Sequence, residues 1–410
     1  IKLLFNIVKI KNCRSCKSTH LIKVYSLGKQ SLTGVFPPKK NTNITKGDLS
    51  MIICNKCKLL QLQHNFNPDE MYGSNYGYMS SLNKSMVSHL KMKALNLKKK
   101  YNLKIKNNIL DIGSNDGTFL SYFNNKFKLF GCDPTIKKFK NFYRKDIKQI
   151  PLFFSSKHFE NKKFDLITSI SMFYDLPDPL DFAQQIHSIL HEKGIWHIEL
   201  SYMPMMIKNT SYDTICHEHL EYYSLKSLKY LLDRANLKIV NLSFNQINGG
   251  SIELDIAKKK STHKECTHLI NWVLESEKLN KYNDIERQKA FFKECKNHKY
   301  LLKKLLLTLK KQNKKILGYG ASTKGNVLLQ YCGINSKILD NIAEVNKFKF
   351  NKFTPGTKIK IISEKKAKQK KPDYLLVLPW HFKDHIVKRE QKFLKEGGKL
   401  IFPLPDIEII

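Results

Sequence analysis

No apolar run in this chain approaches the roughly 18 residues that a membrane-crossing helix needs, so no membrane span is read. The opening IKLLFNIVKI is apolar, but it is short, interrupted by lysines and followed by no small-residue cleavage site, so no secretory leader is read either. A cytoplasmic location is the expectation, with no membrane partner. Acidic residues are scarce, 35 against 72 Lys and Arg for a formal charge of +37. That charge is not gathered anywhere. Lysines run from Lys98–Lys100 through Lys258–Lys260 to Lys365–Lys371, as on a solvated surface, so no nucleic-acid partner is expected. Asn, Ile and Phe are plentiful too, which fits an A/T-rich genome. The dinucleotide pattern G-x-G-x-x-G is absent. What remains, at 41% hydrophobic and 410 residues, is enough chain for two or three packed domains.

The stretch that organises the rest is Asn108–Thr118, NILDIGSNDGT. Ile109, Leu110 and Ile112 predict a buried strand, Gly113 and Gly117 a tight turn, and Phe119, Leu120, Tyr122 and Phe123 a following helix. Asp111 ends the strand and Asp116 sits in the turn; two carboxylates there would repel a pyrophosphate and favour a cationic ligand. A second strand, Lys128–Cys132, ends at Asp133, 22 positions after Asp111, where a carboxylate can meet ribose hydroxyls. The pattern resembles the S-adenosylmethionine (SAM) site of class I methyltransferases, with Asp111, Gly113, Ser114, Asn115, Asp116, Gly117 and Asp133 as cofactor residues.

Nine cysteines include two C-x-x-C pairs, Cys13/Cys16 and Cys54/Cys57. Two such turns complete a tetrahedral structural zinc site with no open position for chemistry. Farther on, Phe164–Met172 and Gly194–Leu200 predict strands and Leu180–Leu190 a helix. The alternation implies a doubly wound α/β sheet with ligands at its C-terminal edge. Tyr212–Tyr223 holds His217, Glu218 and His219 in succession. Three consecutive residues cannot share a face of a regular element, so a loop or helix start is expected. The residue types suit proton transfer near neutral pH, and the H-E-x-x-H metal spacing is missing. Residues 266–312 read as a helical hairpin. Lys315–Asn326 is a second strand–glycine–helix unit whose loop carries a lysine and hydroxyls, a composition suited to phosphates.

Taken together, Cys13/Cys16/Cys54/Cys57, YGYMSSLN (76–83), DIGSNDG (111–117), HEHLEYYSL (217–225), NGGS (248–251), GYGASTKGN (318–326) and FPLP (402–405) resemble the SAM-dependent sugar C-methyltransferase family of deoxysugar pathways. The resemblance implies a zinc module over 1–70, a class I methyltransferase domain over 71–245 and a C-terminal Rossmann-like α/β domain over 246–410. It implies SAM and a structural zinc ion as cofactors, and a nucleotide-linked keto-deoxysugar as acceptor. His219 would be the base that deprotonates the carbon beside the ketone, with His217, Glu218 and Tyr76 in the same pocket. Tyr78, Asp175, Cys216, Tyr222, Asn248, Gly249, Gly320, Ser322, Lys324 and Asn326 would line the acceptor cleft, Lys324 and the glycine loop holding the nucleotide's phosphates. Two positions depart from the family pattern. Cys216 stands where a Tyr is usual, and Asp175 where a His is usual. No oligomeric state is implied. An RNA or protein methyltransferase and a non-catalytic nucleotide-binding scaffold stand as alternatives.

Overall fold

The computed structural model describes residues 7–72 and 78–410. The first hundred residues build a small antiparallel sheet ordered Glu221–Tyr222, Leu60–Leu62, Lys46–Cys54, Leu21–Ser31. Its first strand comes from far down the chain, so the HEHLEYY segment is zipped to the edge of the cysteine module. At each end of the zinc-type turns a lysine, Lys17 or Lys58, adopts φ of 62° and bonds back to Cys13 O or Cys54 O. That left-handed step lets both thiols of a pair face one point.

Helix Lys84–Lys100 then leads into the central sheet. The Asn83 side chain accepts from the N–H groups of Ser85 and Met86, a cap contributing about 1 kcal/mol. Met86, Leu90, Ala94 and Leu97 recur at helical spacing and are buried. The central sheet has seven strands, ordered Leu237–Asn245, Ser251–Lys258, Leu190–Ser201, Phe164–Ile170, Asn108–Ile112, Lys128–Cys132, Lys148–Ile150. All are parallel except Ser251–Lys258, which is antiparallel to both neighbours. This is the class I methyltransferase arrangement, with the Asn108–Ile112 strand buried at its centre.

One sequence expectation needs correction. The helix predicted after the first glycine turn is a single 3-10 turn, Leu120–Tyr122. Phe119, Phe123 and Phe127 stack edge to face there, and the short span before the next strand is used up in packing those rings. Residues 246–250 form the hairpin that joins the last two strands of the central sheet, which runs on to Lys258. The Lys148–Ile150 edge strand was too short to show a period.

Helices Thr267–Leu279 and Ile285–Lys311 form the expected hairpin. The C-terminal domain is a six-stranded sheet ordered Lys360–Ser363, Asn341–Glu344, Ile316–Tyr319, Tyr374–Val377, Lys399–Phe402, Glu408–Ile409. One continuous apolar cluster joins this domain to the cysteine module, running from Leu49 and Phe66 through Ile215 and Tyr222 to Leu302, Ile316 and Leu376. The three parts therefore pack as one body, with the HEH segment at their junction.

Candidate functional site

The four thiols of Cys13, Cys16, Cys54 and Cys57 lie within 4.8 Å of one another, with Cys13–Cys57 at 3.6 Å and Cys16–Cys54 at 3.4 Å. Zn–S bonds of about 2.3 Å in a tetrahedron place sulfurs at that spacing, so the donors fit zinc. Gln61 donates to Cys13 Sγ at 3.2 Å and accepts from Arg14 N at 3.1 Å, tying one turn to the sheet.

At the first glycine turn, Gly113 and Gly117 have φ of 78° and 76°, and Asn115 has 50°. A Cβ on Gly113 would meet Met172 at 2.9 Å, and one on Gly117 would meet Tyr143 at 2.9 Å. The turn's carboxylates are held by amides. Asp133 accepts from Asn115 N at 2.9 Å and from Thr135 N at 2.7 Å. Asp116 accepts from Ser81 N at 2.9 Å, and Asn115 Oδ1 from Ser80 N at 3.0 Å. Ser114 pairs with the Tyr143 hydroxyl at 2.7 Å. Asp111 is buried beneath the turn, where Thr168 donates to it at 2.6 Å. Burial pushes its pKa up to about 7, against the lowering bond from Thr168. Burial raises Asp133 as well.

His217, Glu218 and His219 lie in a turn and diverge, as consecutive residues must. His217 is fully buried, its Nε2 at 3.3 Å from Gly47 O and its ring edge-on to Phe66 at 4.8 Å; it packs into the cysteine module. Glu218 accepts from Thr33 Oγ1 at 3.2 Å, and burial raises its pKa. Of the three, only His219 is half-buried rather than buried. Its Nδ1 donates to Thr214 O at 2.8 Å, which leaves Nε2 as the basic nitrogen. Burial, then the charge of Lys324, lowers its pKa to about 3, so the ring is neutral. The Tyr174 ring meets it edge to face, with centroids 4.4 Å apart. Tyr174 is two residues beyond Met172, whose side chain lies against Gly113.

The second glycine turn follows strand Ile316–Tyr319 and opens helix Thr323–Cys332, as the sequence predicts. Ser322 caps that helix through Gly325 N at 3.0 Å. Gly320 has φ of 80° and leaves no room for a Cβ against Pro379. Asn326 donates to Thr33 O at 2.7 Å, docking the helix on the cysteine module. Lys324 Nζ reaches Asn248 O at 2.5 Å, and Asn248 donates to Ser171 Oγ at 3.1 Å, beside the first turn. Gly249, at φ of 88°, lies against the Trp380 ring.

The other assigned residues are variously placed. Tyr222 and Cys216 are core residues, although the Cys216 thiol lies beside Glu218 and burial raises its pKa. Asp175 closes the 3-10 turn Phe173–Asp175, where its charge acts on Cys216 and Glu221. Tyr78 is exposed, its carbonyl 3.4 Å from Asn115 Nδ2. Tyr76 lies outside the described residues. Sequence reasoning missed Asp213, Trp380, His381 and Lys349. Asp213 Oδ2 accepts from the Trp380 indole at 2.7 Å. Lys349 Nζ sits 2.7 Å from Ala321 O in the second turn. The Trp-His pair after strand Tyr374–Val377 was the available signal, since strand ends carry sites in such sheets. A second cluster, His89, Glu199 and Glu253, has metal-type donors. Lys93 Nζ already neutralises it, at 2.8 Å from Glu199 and 3.0 Å from Glu253.

Three family models match. A zinc binding domain covers residues 13–72, a methyltransferase domain 85–242, and a C-methyltransferase C-terminal domain 246–405. The C-methyltransferase NovU of Streptomyces niveus is 27% identical over 409 residues, 98% of this chain and 97% of its own. Among solved structures, the plantazolicin methyltransferase BpumL with SAH is 17% identical, over 47% of this chain and 91% of that one, at a TM-score of 0.37. A SAM-dependent methyltransferase of Clostridium acetobutylicum is 14% identical, over 42% and 92%, at 0.34. No helix among the described residues is long and apolar enough to cross a membrane.

Proposed function

We propose that this chain, which is a SAM-dependent C-methyltransferase with a zinc-binding N-terminal module, methylates a carbon next to the ketone of a nucleotide-linked deoxysugar through an enolate. One observation carries the reading. His219 is held through Nδ1 to Thr214 O and lies beside Tyr174, and burial and the charge of Lys324 lower its pKa, which favours a neutral ring. A carbon acid needs such a base, because carbon is a poor nucleophile until a neighbouring carbonyl takes up the charge. His219 Nε2 removes the proton, and the resulting carbanion attacks the methyl group of SAM held at the Gly113–Gly117 turn. SAM supplies an electrophilic methyl on a positively charged sulfur, which the carboxylates of that turn suit. Asp133 meets the ribose hydroxyls, and Ser114, Asn115 and Asp116 shape the rest of the donor pocket.

The acceptor's phosphates fit the first turn of helix Thr323–Cys332 together with Lys349, where free amides and a cation coincide. His217 serves as a packing residue that anchors the segment, and Glu218 presents a carboxyl group on the acceptor side. The zinc ion is structural, and the cytoplasm is the place where such free thiols and nucleotide sugars coexist.

Incubation with SAM and a panel of nucleotide-linked 4-keto sugars tests this directly. A gain of one methyl mass on the sugar is expected. His219→Ala should lower turnover by about 10²- to 10⁴-fold while SAM affinity, read by calorimetry, stays unchanged. Methylation of tRNA, or turnover that survives His219→Ala, refutes the reading.

A further inference from the structure

The cation that comes closest to governing His219 belongs to the C-terminal domain. Lys324 is the second residue of helix Thr323–Cys332, and among the described residues it has no carboxylate within ion-pair distance. Its one hydrogen bond there is to Asn248 O, at 2.5 Å. Asn248 in turn holds Ser171 at the C-terminal edge of the central sheet, beside the Met172 side chain that lies against Gly113. The ammonium is thus tied through Asn248 to the edge of the central sheet, and its charge acts on His219.

Its surroundings are unusually open in hydrogen-bonding terms. Asp213 is fully buried, with Oδ2 taken by Trp380 and Oδ1 without a partner among the described residues. Thr214 Oγ1, Asn326 Oδ1 and His381 Nδ1 are likewise buried and unpartnered. Folded proteins pair nearly all such groups. A half-buried ammonium whose carboxylate partner, Asp213, acts on it from beyond ion-pair distance, in a region with several unpartnered buried polar atoms, suits a polar, electron-rich guest. Lys324 also acts on both nearby imidazoles, lowering His219 and His381 after burial has done so.

We propose that Lys324 holds the acceptor's carbonyl oxygen and stabilises the negative charge that develops there as His219 works. The inference rests on the C-methyl-transfer reading above. His219 Nε2 takes the proton from the carbon beside the ketone; the C–H electron pair becomes the carbon–carbon π bond, and the carbonyl π pair moves to oxygen, against the Lys324 ammonium. As the carbonyl re-forms, the carbon–methyl bond forms and the sulfur–methyl bond breaks. The sulfur keeps its electron pair as the neutral thioether, and the imidazolium proton leaves to solvent. Lys324 is thus a catalytic residue rather than a phosphate clamp.

Two measurements test it. The first needs no acceptor. In proton NMR of the free enzyme, the His219 titration midpoint should move up toward the ordinary histidine value in Lys324→Met and stay low in Lys324→Arg; an unmoved midpoint in Lys324→Met overturns the pairing. The second follows the nucleotide-linked keto sugar that the wild type methylates, in D₂O. Lys324→Met should slow deuterium uptake at the carbon beside the ketone, and kcat, by about 10²- to 10³-fold, as for loss of one oxyanion donor. KM should change less than about 3-fold, and Lys324→Arg should recover part of the loss. A KM raised about 10-fold or more at unchanged kcat makes Lys324 a phosphate clamp and overturns the proposal. If the wild type takes up no deuterium and transfers no methyl group with any keto sugar, the C-methyl-transfer reading itself falls. The NMR result then still decides whether Lys324 and His219 are paired.

Discussion

The first glycine turn, Gly113–Gly117, and the second, Gly320–Ser322, both leave the C-terminal edge of a parallel sheet, and both rely on glycines at positive φ. They differ in what they offer. The first surrounds itself with carboxylates, Asp111, Asp116 and Asp133, spends its neighbouring amides on holding them, and is followed by one short 3-10 turn. The second opens a ten-residue helix whose first turn carries Lys324 and lies beside Lys349. Its one acid, Glu344, is occupied by the amides of Ala321, Val345 and Asn346. One supersecondary unit is thus used twice with opposite electrostatics, which the proposed function assigns to a cationic donor and an anionic acceptor. The HEH segment is supported between them by the zinc module.

The comparison can be broken or sharpened in order of expected effect. The largest change is to remove the support both halves share. Cys13→Ser should release zinc and lower the melting temperature by roughly 10 °C or more, because structural zinc binding is folding free energy; metal analysis and calorimetry check it, and unchanged zinc content and melting temperature refute it. Next, Asp133→Ala should weaken SAM binding by about 10- to 100-fold, since hydrogen bonds to a charged group are worth about 1.5–3 kcal/mol. Nucleoside diphosphate affinity should not move, and a parallel loss of both affinities would mean the two turns are not separate sites. Lys349→Met should do the reverse, weakening nucleoside diphosphate binding by about 5-fold and sparing SAM. The smallest effect is in pH dependence. Burial puts Asp111 at about 7 in the folded protein, above its ordinary 3.8, so the native state retains a proton that the unfolded chain has lost. The contribution of Asp111 to stability therefore falls as pH rises from about 4 to 7. Asp111→Asn should flatten the melting temperature by a few degrees over that range, and an unchanged slope would count against the buried acid.

Much of this was legible in the chain. The C-x-x-C pairs, both strand–glycine units and the helical hairpin are local patterns, and local patterns show their period. The missing helix after the first turn was not legible, because Phe119, Leu120, Tyr122 and Phe123 are spaced for a helix whether or not a full one forms. Asp213 and His381 were passed over for another reason. Each is linked to the proposed site through residues distant in the chain, Asp213 through Trp380 and Lys324 and His381 through Lys324.

By itself, the sequence determined which chemistries were available: thiols spaced for zinc, carboxylates at one glycine turn, a lysine at the other, and imidazoles between them. Only the tertiary structure decided where each histidine is placed. His217 and His219 differ by two positions and not at all in chemistry. One was turned into the zinc module against Phe66, and the other was left open beside Tyr174, because a chain zipped onto a sheet edge at Glu221–Tyr222 can present only one of them to the cleft.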